Sequence, residues 1–377
     1  MNVGLFFYPI SEELIPKSET ALGQHTDIYH SHVPNWRNAE IVILSVPEYR
    51  GSNQNNEERK DVDAIRNCFY QLKNNNTELK IADLGNLKPG PTLEDTYLRL
   101  QEVLKELMEN NCTPLIIGGS HDLTYGQYLS FNNENELVHF VNIDSKIDFE
   151  VEQISNAENS FLENLFTNQP NHLYSYSHLG FQSFNTAEEE LKVLDSIGFD
   201  CVRIGELKAD IKEAEPYIRA GDFLSFDINA IKASDSPVSS TPFGFSAEEA
   251  CQLTWYAGQN NQLQSFGIYG YQSKLDNNLL SAQIIATMMW YFIEGYYNRK
   301  KHDGLISKNF TKYSVMLDEE VVFYKDNVSD KWWLKIKDTK GEYFDREHIV
   351  PISPKVYEDC SNGIIPEKWF RANSKLN

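Results

Sequence analysis

The chain has 377 residues, with 34 Lys and Arg against 55 Asp and Glu, which gives a formal net charge of −21. Hydrophobic residues make up 41% of it, enough for a large buried core, so a chain disordered throughout is excluded. A surface this acidic repels phosphate groups, so we expect neither nucleic acid nor an anionic membrane as a partner. The longest apolar run, at 284–293, is about half as long as a bilayer span, so membrane insertion is not expected either.

The cysteines and the first residues bear on the cellular compartment. The five cysteines are scattered, with no CxxC pair, at Cys68, Cys112, Cys201, Cys251 and Cys360. An odd and scattered set is typical of reduced thiols rather than of a disulfide framework. The opening stretch MNVGLFFYPISEEL has no basic region before its apolar residues, unlike a secretory signal. We therefore expect a cytoplasmic protein.

Short apolar runs alternate along the chain with longer amphipathic stretches. The runs predict strands at 39–46, 80–84, 113–117, 137–143 and 223–226. The spacing of apolar residues predicts helices at 61–72, 92–108, 188–194, 246–256 and 279–297. Thr92 is suited to cap a helix, and Ser246 with Glu249 has the spacing of a capping box. Strands that alternate with helices predict βαβ units, and hence an α/β fold whose parallel sheet is covered on both faces.

The character of the chain changes after residue 304. Residues 305–377 hold 12 basic and 12 acidic side chains, so the whole net charge belongs to residues 1–304. Strand-like runs at 321–324 and 332–336 alternate there with prolines. We therefore predict an α/β domain at 1–304 and a small β-rich appendage at 305–377, which is either packed on the domain or used for contact with a partner.

Three of the predicted strands end in polar clusters, at 118–122, 142–148 and 225–229. Ligands of parallel sheets bind at the carboxyl ends of the strands, so these are the places where a site is expected. Asp144, Lys146 and Asp148 alternate, and their side chains can therefore converge on one point. The clusters also contain His121 and Asp227. One imidazole and three carboxylates suit a hard divalent ion such as Mn²⁺.

With these clusters, the sequence resembles the ureohydrolase superfamily of arginase, agmatinase and formimidoylglutamase over about residues 39–300. The order and spacing of the clusters fit the GGxHD, DAHxD and SxDxDxxDP motifs of those proteins. The resemblance implies a three-layer α/β/α domain around an eight-stranded, mostly parallel sheet. It also implies chemistry in which two Mn²⁺ ions activate a bridging water, which attacks a guanidinium-type or formimino carbon.

The resemblance assigns the ligands of the first ion residue by residue, and all of them are present. They fall on His121, Asp144, Asp148 and Asp227. Asp122 matches an acid that orients a metal ligand from outside the ligand set, although it is also placed to cap the next helix.

The positions of the second ion and of the substrate anchor depart from the family pattern. In the family, two ligands bind the second ion and not the first, and these correspond to Lys146 and Asn229 here. The family's substrate-binding acid corresponds to Gly270. We expect the Lys146 ammonium to replace the second ion by pairing with Asp144 and Asp227, because it is a compact positive charge. Two roles stay open for Asn229, the relic of a ligand and the cap of a turn.

These departures predict a divergent family member that has lost two-metal hydrolysis, with no intact catalytic set. We expect it to hold either no metal or one divalent ion, Mn²⁺, and to act as a binding or assembly protein. An unidentified protein partner and a homo-oligomer are expected with that role. The alternative is a metal-dependent hydrolase of non-peptide C–N bonds, acting on a formimidoylglutamate-type or guanidino substrate with one metal or an altered pair.

Overall fold

A large central sheet organises the molecule. The computed structural model describes residues 2–52, 61–75, 78–131, 137–149, 156–299, 309–336 and 349–376. The strands of the sheet are β1 (Phe7–Tyr8), β2 (Thr26–Ile28), β3 (Ile41–Val46), β4 (Ile81–Leu87), β5 (Thr113–Gly118), β6 (Val138–Ile143), β7 (Leu173–Phe181), β8 (Asp200–Arg203), β9 (Phe223–Asp227) and β10 (Ser265–Tyr269). They lie in the order β1-β4-β3-β5-β10-β9-β6-β7-β8, and β2 pairs with β4 outside this path.

The sheet has ten strands among the described residues, where eight were expected. The eight from β4 to β8 in the spatial order all run parallel. The two additional strands both pair with β4, β1 antiparallel and β2 parallel. They are two and three residues long, too short to show the alternation by which a strand is recognised in a sequence. The expectation of a mostly parallel α/β sheet is confirmed, and its strand count is corrected.

Helices cover both faces of this sheet. They are α1 (Asp61–Gln71), α2 (Leu93–Glu109), α3 (Leu123–Leu129), α4 (Ala157–Thr167), α5 (Glu188–Ser196), α6 (Ile204–Ala209), α7 (Glu215–Ala220), α8 (Ala247–Gln259) and α9 (Leu280–Tyr297). Strand β3 shows why two layers form, because its successive side chains point to opposite faces. Ile41 and Ile43 pack into the core beneath α1, α8 and α9, whereas Val42 and Leu44 pack into the core beneath α2.

Local sequence signals account for where several helices begin. Thr92 accepts a hydrogen bond from the backbone of Asp95 at the start of α2, and Ser246 does the same from Glu249 at the start of α8. Both interactions are capping boxes, in which the side chain satisfies an N–H group that the helix itself leaves unpaired. Helix α9 is apolar almost all round and is buried along one face, with Leu280, Tyr291 and Tyr297 exposed. No helix of the described residues has the length and apolar character needed to cross a membrane.

A second, smaller sheet follows near the C-terminus. It consists of β11 (Phe310–Met316), β12 (Glu320–Asp326), β13 (Trp332–Lys335) and β14 (Ile349–Ile352), all antiparallel, and is followed by α10 (Pro354–Ser361) and α11 (Glu367–Leu376). Its core is separate from that of the large sheet and includes Phe323, Trp332 and Leu334. The predicted domain boundary between residues 304 and 305 lies outside the described residues.

The small sheet packs against α7 of the α/β domain. The Arg219 guanidinium donates hydrogen bonds to the carbonyls of Trp332 (3.1 Å) and Ile352 (3.3 Å). The ammonium of Lys331 lies 3.0 Å from the carboxylate of Glu215. The side chains of Arg219, Lys331 and Glu215 are at most about one fifth exposed. These contacts therefore hold the appendage against the acidic domain.

Candidate metal centre

The polar clusters meet at one edge of the large sheet. His121 lies three residues beyond β5, Asp144 directly follows β6, and Asp227 is the last residue of β9. Strands β5, β10, β9 and β6 are neighbours in that order, so their carboxyl ends bring these side chains together. The turn that carries His121 needs glycine at position 119, because a Cβ there would lie 1.9 Å from the carbonyl oxygen of Glu48.

His121 is surrounded by three carboxylates. Its Nδ1 atom lies 2.9 Å from Asp148 Oδ2, 3.3 Å from Asp227 Oδ2 and 3.4 Å from Asp144 Oδ2. Its Nε2 atom shares a 2.8 Å hydrogen bond with the hydroxyl of Ser225. All of these side chains are buried. The structure therefore brings the imidazole and the three acids, which come from three separate strand ends, within direct contact.

The cluster has the electrostatics of a cation site. Burial, together with the neighbouring Asp227 and Asp148, raises the pKa of Asp144 to about 8. Burial by itself would lower the pKa of His121, but the adjacent carboxylates of Asp144 and Asp148 raise it well above its usual range. The Oδ2 atom of Asp144 is buried, and its contact with the His121 ring nitrogen is long, at 3.4 Å. A buried carboxylate oxygen is costly unless a cation is nearby, and a metal ion would add to the charge that His121 supplies.

The donor atoms fit a divalent ion. His121, Asp144 and Asp148 each offer one ligand atom, and these atoms all lie within 4.8 Å of one another. One imidazole nitrogen and carboxylate oxygens form a donor set that Mn²⁺ accepts. The buried Oδ2 atom of Asp144 agrees with that fit, since an ion would give it a closer partner than the His121 nitrogen at 3.4 Å.

Lys146 pairs with a different acid from the ones we expected. Its ammonium lies 3.2 Å from Asp148 Oδ1 and donates a hydrogen bond to the side-chain oxygen of Asn159, and it forms no ion pair with Asp144 or Asp227. Asn159 lies in the first turn of α4 and holds the ammonium on the Asp148 side of the cluster. Burial works against the charge, but the carboxylates of Asp148 and Asp144 raise the pKa of Lys146. The prediction that Lys146 pairs with Asp144 and Asp227 is therefore wrong, because its partner is Asp148.

Asn229 forms hydrogen bonds both with Asp227 and with the loop that contains Ser240. Its backbone N–H and its side-chain N–H₂ donate to Asp227 Oδ1 at 2.7 and 3.0 Å. Its side-chain oxygen accepts from the backbone N–H of Ser240 at 3.1 Å. The carboxylate of Asp227 caps the short turn that begins here, so Asn229 is not the cap. Asn229 instead ties the end of β9 to the loop beyond it.

Gly270 follows β10 in a conformation that side chains rarely adopt. Its φ is +85°, and a Cβ at this position would lie 2.8 Å from Asp227 Oδ1 and 3.2 Å from a methyl group of Ile228. Its N–H donates to the carbonyl of Gly119 at 2.8 Å. An acid at position 270 would therefore be strained and would face the carboxylate of Asp227.

Asp122 is buried but does not contact the imidazole of His121. Its Oδ2 atom accepts a hydrogen bond from the Tyr97 hydroxyl, and its Oδ1 atom has no hydrogen-bond partner among the described residues. It precedes α3 without a capping hydrogen bond from its side chain. Burial raises its pKa. The second nitrogen of His121 shares a hydrogen bond with Ser225, which begins the third polar cluster and falls on the serine of the SxDxDxxDP motif, although we assigned it no role from the sequence.

Helix α4 contributes two residues that sequence reasoning missed. Glu158 Oε1 accepts a hydrogen bond from the backbone N–H of His121 at 3.3 Å, and Asn159 accepts from Lys146. Burial and the nearby Asp227 and Asp148 raise the pKa of Glu158 to about 7. The apolar spacing of Phe161, Leu162 and Leu165 after a suitable cap at Asn156 was a usable signal for this helix, although not for the site that its first turn reaches.

Comparisons with known proteins agree with this architecture. The arginase family model matches residues 39–294. Formimidoylglutamases of Clostridium tetani and Staphylococcus aureus are 21% and 22% identical over 236 and 244 residues. These matches cover 58% and 62% of this chain, and 70% and 78% of those proteins.

Solved structures are similar in fold. A Trypanosoma cruzi formiminoglutamase crystallised with Mn²⁺ has a TM-score of 0.64 at 20% identity, with 71% of this chain and 96% of that chain covered. A Bacillus subtilis formimidoylglutamase has a TM-score of 0.65 at 14% identity, with 75% and 94% covered. The family match extends over more than half of the chain, from before β3 into α9, and includes all three polar clusters. The chain therefore belongs to the arginase family.

Proposed function

We propose that this formimidoylglutamase-like member of the arginase family binds at most one divalent ion, Mn²⁺, and has lost two-metal hydrolysis. In this proposal it acts as a binding or assembly protein. The ion would be held by His121, Asp144, Asp148 and Asp227. Mn²⁺ at this place supplies a Lewis acid and a double positive charge. The chain's own contribution is to bury the ligands and to hold their orientation through Ser225.

One observation carries the proposal, namely that both positions expected to serve a second ion are already engaged. The Lys146 ammonium lies 3.2 Å from Asp148 Oδ1, and the side-chain N–H₂ of Asn229 lies 3.0 Å from Asp227 Oδ1. A lysine brings one positive charge and no lone pair to a site, so it competes with an ion for the same carboxylates. Lys146 and one divalent ion together match the three negative charges of the aspartates.

Metal stoichiometry tests the proposal. We expect elemental analysis to find no Mn²⁺ or one Mn²⁺ per chain, on protein purified without chelator and then incubated with Mn²⁺. Asp148→Asn, which removes a charge from the proposed ligand set, serves as the control that assigns the bound ion to this cluster. Two ions per chain in the unmodified protein would contradict the proposal.

The proposed binding role includes a protein partner or further copies of the chain. The small C-terminal sheet is the proposed contact element, because it is appended to the arginase-like domain and has its own core. Light scattering on size-exclusion chromatography tests the oligomer, and a monomeric mass at micromolar concentration would contradict it.

The second candidate is a hydrolase of linear amidine or guanidino C–N bonds that uses one metal or an altered pair. The similarity to formimidoylglutamases favours it over other hydrolases. A bound divalent ion can by itself acidify water. Incubation of the Mn²⁺-loaded protein with N-formimidoyl-L-glutamate, L-arginine and agmatine decides between the candidates. Turnover that disappears in Asp148→Asn would establish the hydrolase and overturn the binding role.

A further inference from the structure

Two exposed phenylalanines lie next to each other at the carboxyl edge of the large sheet, and we call them the phenylalanine pair. Phe184 belongs to the loop between β7 and α5 and is 63% exposed, and Phe243 belongs to the loop between β9 and α8 and is 67% exposed. Their rings meet edge to face, with the centroids 6.4 Å apart. No other Phe, Tyr or Trp among the described residues is as exposed. Large apolar side chains that are exposed together are typical of an interaction surface.

The backbone beneath the phenylalanine pair is held by hydrogen bonds between loops. Gln182, which is buried directly after β7, donates from its side chain to the carbonyl of Phe243. Its backbone N–H donates to the carbonyl of Ser145 at 2.9 Å, and the hydroxyl of Ser145 shares a 3.2 Å hydrogen bond with that of Thr241. The two loops are therefore tied to each other and to the loop after β6. A surface that is preformed in this way loses little conformational entropy when a partner binds.

The lysines around the phenylalanine pair are already matched by acids. Three ion pairs lie in the segments that flank the two loops, namely Lys192 with Glu188 (2.7 Å), Lys208 with Glu249 (3.1 Å) and Lys232 with Asp235 (3.2 Å). The ammonium of Lys208 also donates to the carbonyl of Gly244, the residue directly after Phe243. These lysines therefore bring no excess of positive charge to the surface.

Two exposed acids in the same segments have no such partner. Glu189 lies in the first turn of α5 and Glu248 in the first turn of α8, and neither forms an ion pair with another described residue. Arg203, which is opposite Phe181 at the end of β8, is followed by Glu206 in the first turn of α6. The surface around the phenylalanine pair is therefore negative on balance, like residues 1–304 as a whole. Such a surface attracts a positively charged partner and repels a second copy of itself.

We propose that the phenylalanine pair and the acids beside it bind a basic segment of a protein partner. An apolar side chain of that segment packs on the two rings, and the basic side chains on either side of it face Glu189 and Glu248. This assignment rests on the proposed binding function and specifies the chemistry of the partner. It adds a contact surface on the acidic domain to the one proposed for the small C-terminal sheet. The apolar contact supplies affinity, and the opposite charges select the partner and speed its association.

Fluorescence anisotropy with the full chain and three labelled synthetic peptides tests the assignment. The first peptide has leucines among lysines, the second has serine in place of each leucine, and the third has glutamate in place of each lysine. We expect the leucine–lysine peptide to bind at least about tenfold more tightly than the serine–lysine peptide, the effect of burying a leucine side chain. We expect the leucine–glutamate peptide to bind more weakly still, because its charges are repelled. In the double variant Phe184→Ser, Phe243→Ser the gain from leucine falls to about onefold.

A second double variant, Glu189→Gln, Glu248→Gln, tests the acids. We expect it to weaken binding of the leucine–lysine peptide by about three- to tenfold, the effect of two exposed ion pairs. Two matched controls make the same kinds of change elsewhere. Leu98→Ser removes an apolar side chain that is 53% exposed on α2, and Glu12→Gln with Glu13→Gln removes two exposed charges near the N-terminus. We expect both controls to bind the peptides as the unmodified protein does.

Three results would overturn the assignment. The first is equal binding of the leucine–lysine and serine–lysine peptides by the unmodified protein. The second is a gain from leucine that persists in the phenylalanine variant, or a charge control that weakens binding as much as the change at Glu189 and Glu248. The third is an oligomer that dissociates in the phenylalanine variant while peptide binding is unchanged, since the pair would then belong to a contact between copies. Mn²⁺ stoichiometry on the same samples reports on the proposed function separately, because two ions per chain would overturn that function whatever the peptides do.

Discussion

Replacement of Lys146 by Met removes the ammonium that lies beside the three aspartates. If Lys146 occupies the place of an ion, the variant has two opposite consequences. The metal-free protein becomes less stable, because Asp148 is buried and loses the ammonium at 3.2 Å, keeping only its contact with His121. The affinity for Mn²⁺ rises, because a positive charge that repels the ion is gone.

The size of the stability loss follows from the Lys146–Asp148 ion pair, and the size of the gain in Mn²⁺ affinity follows from the repulsion between Lys146 and the ion. Breaking a fully buried ion pair costs about 3–5 kcal/mol and an exposed pair contributes about 0–1 kcal/mol. Asp148 is buried whereas the Lys146 side chain is 38% exposed, so we expect a loss of about 1–3 kcal/mol in the free energy of unfolding. Even in bulk water, unit charges about 4 Å apart interact by about 1 kcal/mol, and the double charge of Mn²⁺ doubles this repulsion. We therefore expect Mn²⁺ to bind at least about tenfold more tightly.

Urea unfolding with and without Mn²⁺ measures the change in stability. Calorimetric titration measures the change in Mn²⁺ affinity. Lys192→Met is the matched control, because the Lys192 side chain is 67% exposed and pairs with Glu188 on the surface. We expect that control to change neither quantity. An unchanged Mn²⁺ affinity in Lys146→Met would refute the idea that the ammonium and an ion compete for the same carboxylates.

Two further predictions concern the second ion and the core. Lys146→His combined with Asn229→Asp restores the family's ligand types and leaves Gly270 unchanged. We expect elemental analysis of this variant to find two Mn²⁺ per chain. A single ion would show that the pocket has diverged beyond its ligands. Arg66 is buried and bonds both carboxylate oxygens of Asp83 at 2.9 and 3.0 Å. Arg66→Met leaves that acid buried without its cation, which should cost about 3–5 kcal/mol in urea unfolding, and a loss under about 1 kcal/mol would contradict this.

The sequence by itself determined the features that depend on neighbours along the chain. Short apolar runs predicted the strands β3, β4, β5, β6 and β9, and the capping residues Thr92 and Ser246 predicted where two helices begin. The order and spacing of the polar clusters indicated the family, and the family model matches nearly the same residues. These signals are readable because burial period and capping are set within a few residues.

Only the tertiary structure decided which side chains meet around the centre. Lys146 pairs with Asp148 because Asn159, on a helix that follows the strand, holds its ammonium there. Glu158 reaches His121 because the start of α4 is hydrogen-bonded to the loops after β3 and β6, at Gly51 and Asp148. The crowding at Gly270 arises from Asp227 on the adjacent strand. Lys146 and Asp148 are only two residues apart, but the other contacts join segments that are more distant in sequence. The direction of a long side chain is set by the elements that pack against it rather than by its neighbours in the chain.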